Sequence, residues 1–450
     1  MIGIKGTETD KGDARTKLIR KNVLASFLIK GWSALVQLAL VPLTLSCLGV
    51  YENGVWLTIS SVLLWIDNLD IGLGNGLRNK LAACMAQGDT NKAREMVSST
   101  FAMLIGIIIP VVCILIAAEV FGDTYSFFNV DSQRVGNLTT VIIASTILVG
   151  ATFIFKFLGN FYMGLQLPAV SNLIGSLGST LILAGTFAVY LMGSHSMLLI
   201  AIVNTGAPLM VYLICYPVTF MGRYKALRPS LQSVNFGAAR ELFSLGIRFF
   251  LLQIPGVILF FTSNILIARL FTPDMVTPYQ IAHRYFALTM TLFTIICVPY
   301  WTATTDAYER KDFVWINRAN RTLNMIMLFI LAIIVVMTVL SGFVYDVWIQ
   351  DKAVIPFSIT LISAVYQFII LVSMRYSFVL NGIGALHLQL VFTIAASIAY
   401  IPLAIFVGRA THDVNYLLLV MCIVHLPGLI VNYIQYHRII RGKATGIWIK

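Results

Sequence analysis

Charged side chains are scarce in this chain: 11% of its 450 residues, against 58% hydrophobic. A water-soluble domain covers its surface with roughly a quarter charged residues, so this composition excludes one. The six cysteines (Cys47, Cys84, Cys113, Cys215, Cys297, Cys422) stand apart, with no CxxC spacing and no Cys/His cluster, which excludes a zinc motif and a disulfide framework. No GxxxxGK[ST] loop is present, so the chain is not expected to hydrolyse ATP. GLGNG at 72–76 follows a hydrophobic helical stretch rather than a strand, and it reads as small residues that let helices approach. The first 22 residues, MIGIKGTETDKGDARTKLIRKN, are polar and basic and carry no cleavable leader pattern. The first apolar block is therefore expected to be a retained span.

What is present is long apolar blocks, with a mean hydropathy of +0.87. A crossing helix needs about 20 such residues at a rise of ~1.5 Å each. The pattern predicts an all-α integral membrane protein with twelve spans, at 22–46, 54–77, 97–120, 137–162, 171–192 and 197–221, then 242–268, 277–302, 322–345, 354–380, 386–408 and 414–437. An even count puts both termini on one side. With that side cytoplasmic, the inner segments hold 22 of the 31 Lys and Arg residues and the outer loops hold 4. This is the bias that orients membrane proteins. It also accounts for the net charge of +12 without a nucleic-acid partner, since no polar segment interleaves basic and aromatic residues. The longest outer loop, GDTYSFFNVDSQRVGN, leaves no room for a soluble domain. Tyr51, Trp56, Trp348 and Trp448 near the expected span ends read as interfacial anchors.

The basic linker 222–240 separates a first lobe, 1–221, from a second, 241–450, each with six expected helices. The halves echo one another. LASFLIKGW (24–32) aligns with LFSLGIRFF (242–250), pairing Lys30 with Arg248, and MAQGDTNKAREMVS (85–98) aligns with AYERKDFVWINRANRT (307–322). Six helices per half imply a parallel repeat about an axis along the membrane normal, of the kind that encloses a central site.

Five basic residues fall inside the expected spans: Lys30, Lys156, Arg248, Arg284 and Arg375. Each costs roughly 2.5–3.5 kcal/mol at a helix centre facing lipid. Lys156 and Arg375 lie within about two turns of a cytoplasmic helix end, where snorkelling and a cavity-facing role weigh equally. Lys30, Arg248 and Arg284 lie deeper and call for a hydrated interior. Asp67 and Asp70 share one helix face, and Asp70 matches Lys30 in depth, so the two are a candidate ion pair. Asp67, Asp70 and His283 are also candidates for coupling to protons or Na⁺, although a lone membrane histidine is more often simply hydrogen-bonded. The interior remains net positive, which suits an anion, and guanidinium groups suit phosphate.

The segment WIDNLDIGLGNGLRNKLAACMAQGDTNKAREMVSST (65–100), with the YENGVW stretch at 51–56 and Lys30 in helix 1, resembles the Wzx-type oligosaccharide flippases, the polysaccharide-exporter branch of the MOP superfamily. The resemblance implies a MATE-like, V-shaped pair of six-helix lobes working by alternating access. It implies as cargo an undecaprenyl-pyrophosphate-linked oligosaccharide, an O-antigen or capsular repeat unit, moved across a bacterial inner membrane from the cytoplasmic to the periplasmic leaflet. Partners on this reading are the glycan lipid, membrane lipid and polysaccharide polymerase or assembly proteins. The protein is expected to be a monomer with no cofactor and no enzymatic activity. A multidrug exporter of the same superfamily is the alternative, but such proteins favour buried acids, whereas Lys30, Arg248 and Arg284 are basic. A glycan polymerase or acyltransferase ranks lower, because the outer loops are short and no His/Asp cluster appears.

Overall fold

The computed structural model describes residues 8–67, 73–235, 237 and 262–449, with side chains from Phe27 onward except at single positions such as Asp67 and Asp306. Among the described residues the chain is helical, with no strand. The helices are α1 (Glu8–Asp67), α2 (Leu73–Gln87), α3 (Thr90–Phe121), α4 (Thr124–Phe128), α5 (Leu138–Phe155), α6 (Phe157–Gly164), α7 (Pro168–Leu191) and α8 (Met197–Met221). They continue with α9 (262–270), α10 (Val276–Glu309), α11 (Phe313–Val339), α12 (Ser341–Ile349), α13 (Phe357–Ile383), α14 (His387–Thr411) and α15 (Val414–Ile440).

Nine helical runs among the described residues are long and apolar enough to cross a membrane. Phe121, Val218, Phe343 and Phe406 are 70–89% exposed, a surface that water would not tolerate at this density and that hydrocarbon solvates. Hydroxyls inside the runs are turned onto their own helix. Thr58, Thr100, Thr205 and Thr338 each donate to the carbonyl four residues back, at 2.7–2.9 Å. A hydroxyl in lipid has no water to bond, and the i−4 carbonyl is the acceptor always within reach. The protein is thus a multi-pass helical membrane protein.

Several expected boundaries move. The span expected at 22–46 and the part of the next up to Asp67 are one helical run, α1, broken at Gly49, whose φ of 68° and ψ of −177° are open to glycine, and residues 73–77 of the expected second span belong to α2. The span expected at 137–162 is two helices meeting at Lys156. The one expected at 322–345 starts earlier, at Phe313, because Asp312 caps it, and it is continued by α12. Most of the span expected at 242–268 lies outside the described residues. Trp56, read as an interfacial anchor, is instead in the core at 5% exposure.

Contacts divide the chain into two compact units that interleave along the sequence. Unit 1 comprises Met1–Leu43, Ile66–Gly122 and Asn137–Leu251; unit 2 comprises Thr44–Trp65, Asp123–Gly136 and Leu252–Lys450. The outer part of α1 and the loop around α4 therefore pack with residues of the second half rather than within the chain-order half 1–221. In unit 1, α5 packs on α8 and α3, α7 on α8 and α2 on α6. In unit 2, α10 packs on α13, α13 on α15 and α14 on α15, around a core that includes Leu266, Ile267, Tyr279, Tyr400, Leu417 and Met421.

The sequence echo between 85–98 and 307–322 has a structural counterpart. Asp89 Oδ1 accepts from the Lys92 N–H at 2.9 Å, and Asp312 Oδ1 from the Trp315 N–H at 2.9 Å. The backbone bonds entering the turns also correspond: Gly88 N–H to Met85 O and Asp89 N–H to Cys84 O, against Lys311 N–H to Tyr308 O and Asp312 N–H to Ala307 O. Gly88 and Lys311 both have positive φ, 73° and 58°. Two copies of one helix–turn–helix junction, with every partner 223 positions further on, are what an internal duplication leaves. Losing a capping side chain costs about 1 kcal/mol. Asp89→Ala and Asp312→Ala should therefore each lower the melting temperature of the detergent-solubilised protein by a similar few degrees, and unchanged melting in both would refute the capping role.

Candidate functional site

YENGVW binds three parts of unit 2 together. The Tyr51 hydroxyl accepts from the Asp131 N–H at 2.9 Å, and the Arg134 guanidinium sits 4.9 Å from the Tyr51 ring centroid while pairing with Asp131 at 3.7 Å. Asn53 donates to Thr277 Oγ1 at 3.2 Å, and Thr277 in turn donates to Val50 O at 2.8 Å. At Gly54 a Cβ would stand 1.9 Å from the Pro273 carbonyl oxygen. Only glycine permits that approach of α1 to the turn before α10.

One helical face further on, the polar contacts continue. Gln280 donates to Asn264 Oδ1 at 2.7 Å, and Asn264 donates to Ser61 Oγ and reaches Leu57 O. Asn53, Ser61, Asn264, Thr277 and Gln280 are all buried. Thr277, Gln280 and Arg284 follow the i, i+3, i+7 spacing of one α10 face, so Arg284 comes next along the polar side of this helix. It is half-buried, and no carboxylate pairs with it among the described residues. His283 is half-buried beside it, its ring 6.0 Å from that of Tyr279.

Arg375 on α13 is 5% exposed. Its guanidinium donates to Asn320 Oδ1 on α11 and lies 4.3 Å from the Tyr376 ring centroid, while its Nε has no acceptor among the described residues. Snorkelling is therefore not how this residue is accommodated: an amide and an aromatic face hold it within the packing. In unit 1, Lys30 is exposed on α1, close to Trp32, whose indole N–H donates to Thr180 at 2.9 Å. Lys156 is half-buried at the α5–α6 junction, flanked by Phe155 and Phe157, which pack with Phe101 at 6.1 and 5.1 Å. Arg248 and Asp70 lie outside the described residues, as does the side chain of Asp67, and so does the candidate Lys30–Asp70 pair. Thr289, Thr291 and Thr294 on α10 bond to their own helix.

The structure thus brings Arg284 and Arg375 into one unit on neighbouring helices. The residues missed in the sequence are neutral: Asn53, Asn264, Gln280 and Asn320. Their signal was available as carboxamides inside or beside apolar blocks, where each needs a partner, but attention to formal charge passes over them.

No family model matches the sequence. The chain is 22% identical over 302 residues, 65% of its length and 67% of the other, to a Salmonella typhimurium protein named "Putative O-antigen transporter". Its fold matches an inward-facing structure of a multidrug resistance MATE family transporter of the MOP superfamily, with a TM-score of 0.77 at 15% identity over 94% of this chain and 98% of that one. An outward-facing structure of a MATE family transporter matches with a TM-score of 0.63 at 16% identity over 94% and 96%. The fold is MATE-like, as the resemblance at 65–100 implied.

The Arg375 geometry sets an order of stabilities. Asn320→Ala leaves a buried guanidinium without its acceptor and should cost about 1–3 kcal/mol. Arg375→Met removes the charge with its need for partners and should cost less. Thermal melts of both variants in detergent check the order; the reverse would mean that the contact with Tyr376 dominates.

Proposed function

We propose that this protein is a transporter, not an enzyme, that carries an undecaprenyl-pyrophosphate-linked oligosaccharide from the cytoplasmic to the periplasmic leaflet of a bacterial inner membrane. The observation that carries the reading is the sign and state of the charge inside the helices. Arg284 is half-buried in the polar face of α10 with no carboxylate partner among the described residues, and Arg375 is buried against neutral groups. A cation held in low dielectric without an acid attracts an anion strongly, and a guanidinium fork fits phosphate oxygens bidentately. The likeness to a protein named as an O-antigen transporter supports the same cargo class.

On this reading Lys30, Arg248, Arg284, Lys156 and Arg375 make up the cationic lining that attracts the pyrophosphate, and Asp67, Asp70 and His283 are the groups available for coupling to H⁺ or Na⁺. The halves 1–221 and 241–450 would alternate access around that lining, with both termini cytoplasmic. Partners would be the glycan lipid, surrounding lipid and polysaccharide assembly proteins, with the transporter acting as a monomer. The multidrug reading shares the fold and needs the opposite charge: a cationic drug would meet Arg284 and Arg375 as repulsion.

The test is translocation of a pyrophosphate-linked oligosaccharide in reconstituted vesicles, with and without proton and Na⁺ gradients. Wild type should move the glycan lipid, and Arg284→Glu and Arg248→Glu should each reduce the rate at least tenfold while inserting and folding normally. Undiminished transport by both variants would overturn the cationic lining. Export of a cationic dye with no movement of the glycan lipid would establish the multidrug reading instead.

A further inference from the structure

Within unit 2, residues of α10, α13, α14 and α15 line a partly open cavity of about 460 Å³. Among the described residues its lining carries no Asp, Glu, Lys or Arg. Unlike the surroundings of Arg284 and Arg375, this polar cavity has no formally charged group among the described residues.

Three carboxamides line it. Asn381 on α13 and Gln389 on α14 are half-buried, and neither side chain makes a hydrogen bond among the described residues, with Asn381 Oδ1 and Gln389 Oε1 both buried and without a donor. Asn432 on α15 is 3% exposed; its amide donates to Ser373 and Ser377 Oγ at 3.4 and 3.2 Å, leaving Oδ1 with no donor. Buried amide oxygens in native proteins are nearly always satisfied, so three orphans around one cavity call for an explanation. Donors and acceptors together, without charge, match a ligand that is itself rich in neutral donors and acceptors.

The rest of the wall is aromatic and aliphatic. Phe378, Phe392 and Tyr366 line the cavity, and the Tyr366 ring meets that of His425 edge-on, with centroids 5.3 Å apart at 82°. Ring faces beside carboxamides suit a pyranose, which has one C–H face for packing on an aromatic ring and hydroxyls at its rim for bidentate bonds to amides. The volume lies within the roughly 300–1,000 Å³ of small-ligand pockets, the scale of a small sugar rather than of a polyprenyl chain.

The cavity and the arginines share two helices, α10 and α13, without sharing a face of either. Met290 of its lining follows Arg284 by six residues on α10, about 9 Å along the helix axis at 1.5 Å per residue. Ser373, Met374 and Ser377 of the lining flank Arg375 on α13. At about 100° per residue, however, Met290 lies about 120° around α10 from Arg284, and Ser373 and Ser377 lie on nearly the opposite side of α13 from Arg375, so the cavity opens on other faces of these helices than the arginines do.

We propose that the unit-2 cavity is a sugar subsite that holds a neutral pyranose of the cargo through Asn381, Gln389 and Asn432 against the Phe378, Phe392 and Tyr366 rings. The assignment rests on the glycan-lipid reading above for the identity of the whole ligand, but not for the chemistry of the cavity. It is tested on the full chain in lipid nanodiscs by measuring binding of three probes. These are undecaprenyl pyrophosphate, the same lipid bearing an oligosaccharide, and a panel of neutral methyl glycosides. Gln389→Ala and Asn381→Ala should weaken the glycan lipid and the preferred glycoside at least tenfold and leave the sugar-free lipid within twofold of wild type. Where an amide variant does not fold, Phe392→Leu, which keeps the apolar wall and removes a ring face, carries the same expectation. Equal losses for both lipids, unchanged affinities in every variant, or no saturable binding of any glycoside would overturn the subsite. So would stabilisation by Na⁺ alone, which would mark the orphan oxygens as cation ligands. Failure of wild type to bind either lipid while glycosides still bind in a Gln389-dependent way would refute the glycan-lipid reading and leave the subsite standing.

Discussion

Hydrocarbon offers no hydrogen bonds, and the rest of the structure follows from that. Each backbone amide must find a partner within its own segment, which is why the described residues cross as helices. The same requirement turns the hydroxyls of Thr58, Thr100, Thr205 and Thr338 back onto their own helices. It pairs Asn53 with Thr277, and it joins Ser61, Asn264 and Gln280 in a second set of bonds between α1, α9 and α10. It also makes every polar atom left without a partner informative. In a soluble protein, Arg284 would reach water and the carboxamides at Asn381 and Gln389 would be unremarkable; here they mark places where a ligand's chemistry is expected.

Two kinds of polar interior coexist in unit 2. Around Arg284 and Arg375 the groups are cationic, tempered by amides and rings: Asn320 and Tyr376 hold the Arg375 guanidinium without neutralising it. Around Gln389 and Asn432 the described groups carry no formal charge. An amphipathic cargo with an anionic linkage and a neutral glycan presents both chemistries in sequence, and α10 and α13 each run from one environment to the other. A purely cationic drug would find no countercharge in either among the described residues.

Much of the fold was legible from hydropathy and from a few local rules. Asp89 and Asp312 could be read as matching turns because capping chemistry depends on residues three positions apart, and the internal echo at 85–98 and 307–322 is therefore local in cause. The candidate site was less legible. Counting charges found Arg284 and Arg375, but not that Arg375 would be packed against Asn320, some 55 residues away, rather than snorkelling from a helix end. Boundaries shifted where breaks depend on a single residue, as at Gly49 and Lys156, and Trp56 moved from interface to core because its helix face meets neighbours that hydropathy does not reveal.

The sequence by itself determined that this protein lives in lipid, that five basic residues fall within its apolar blocks, and that its exit from helix 2 resembles a flippase pattern. These properties depend on composition and on residues close in the chain. Only the tertiary structure decided which segments pack together: Thr44–Trp65 and Asp123–Gly136 join the unit built on Leu252–Lys450, because Gly54 lets α1 approach Pro273 and Asn53 finds Thr277. It alone gathered Asn381, Gln389 and Asn432 from three helices around one cavity. Neutral amides scattered over 52 positions announce nothing in order; their chemistry appears only when packing leaves their oxygens facing no donor.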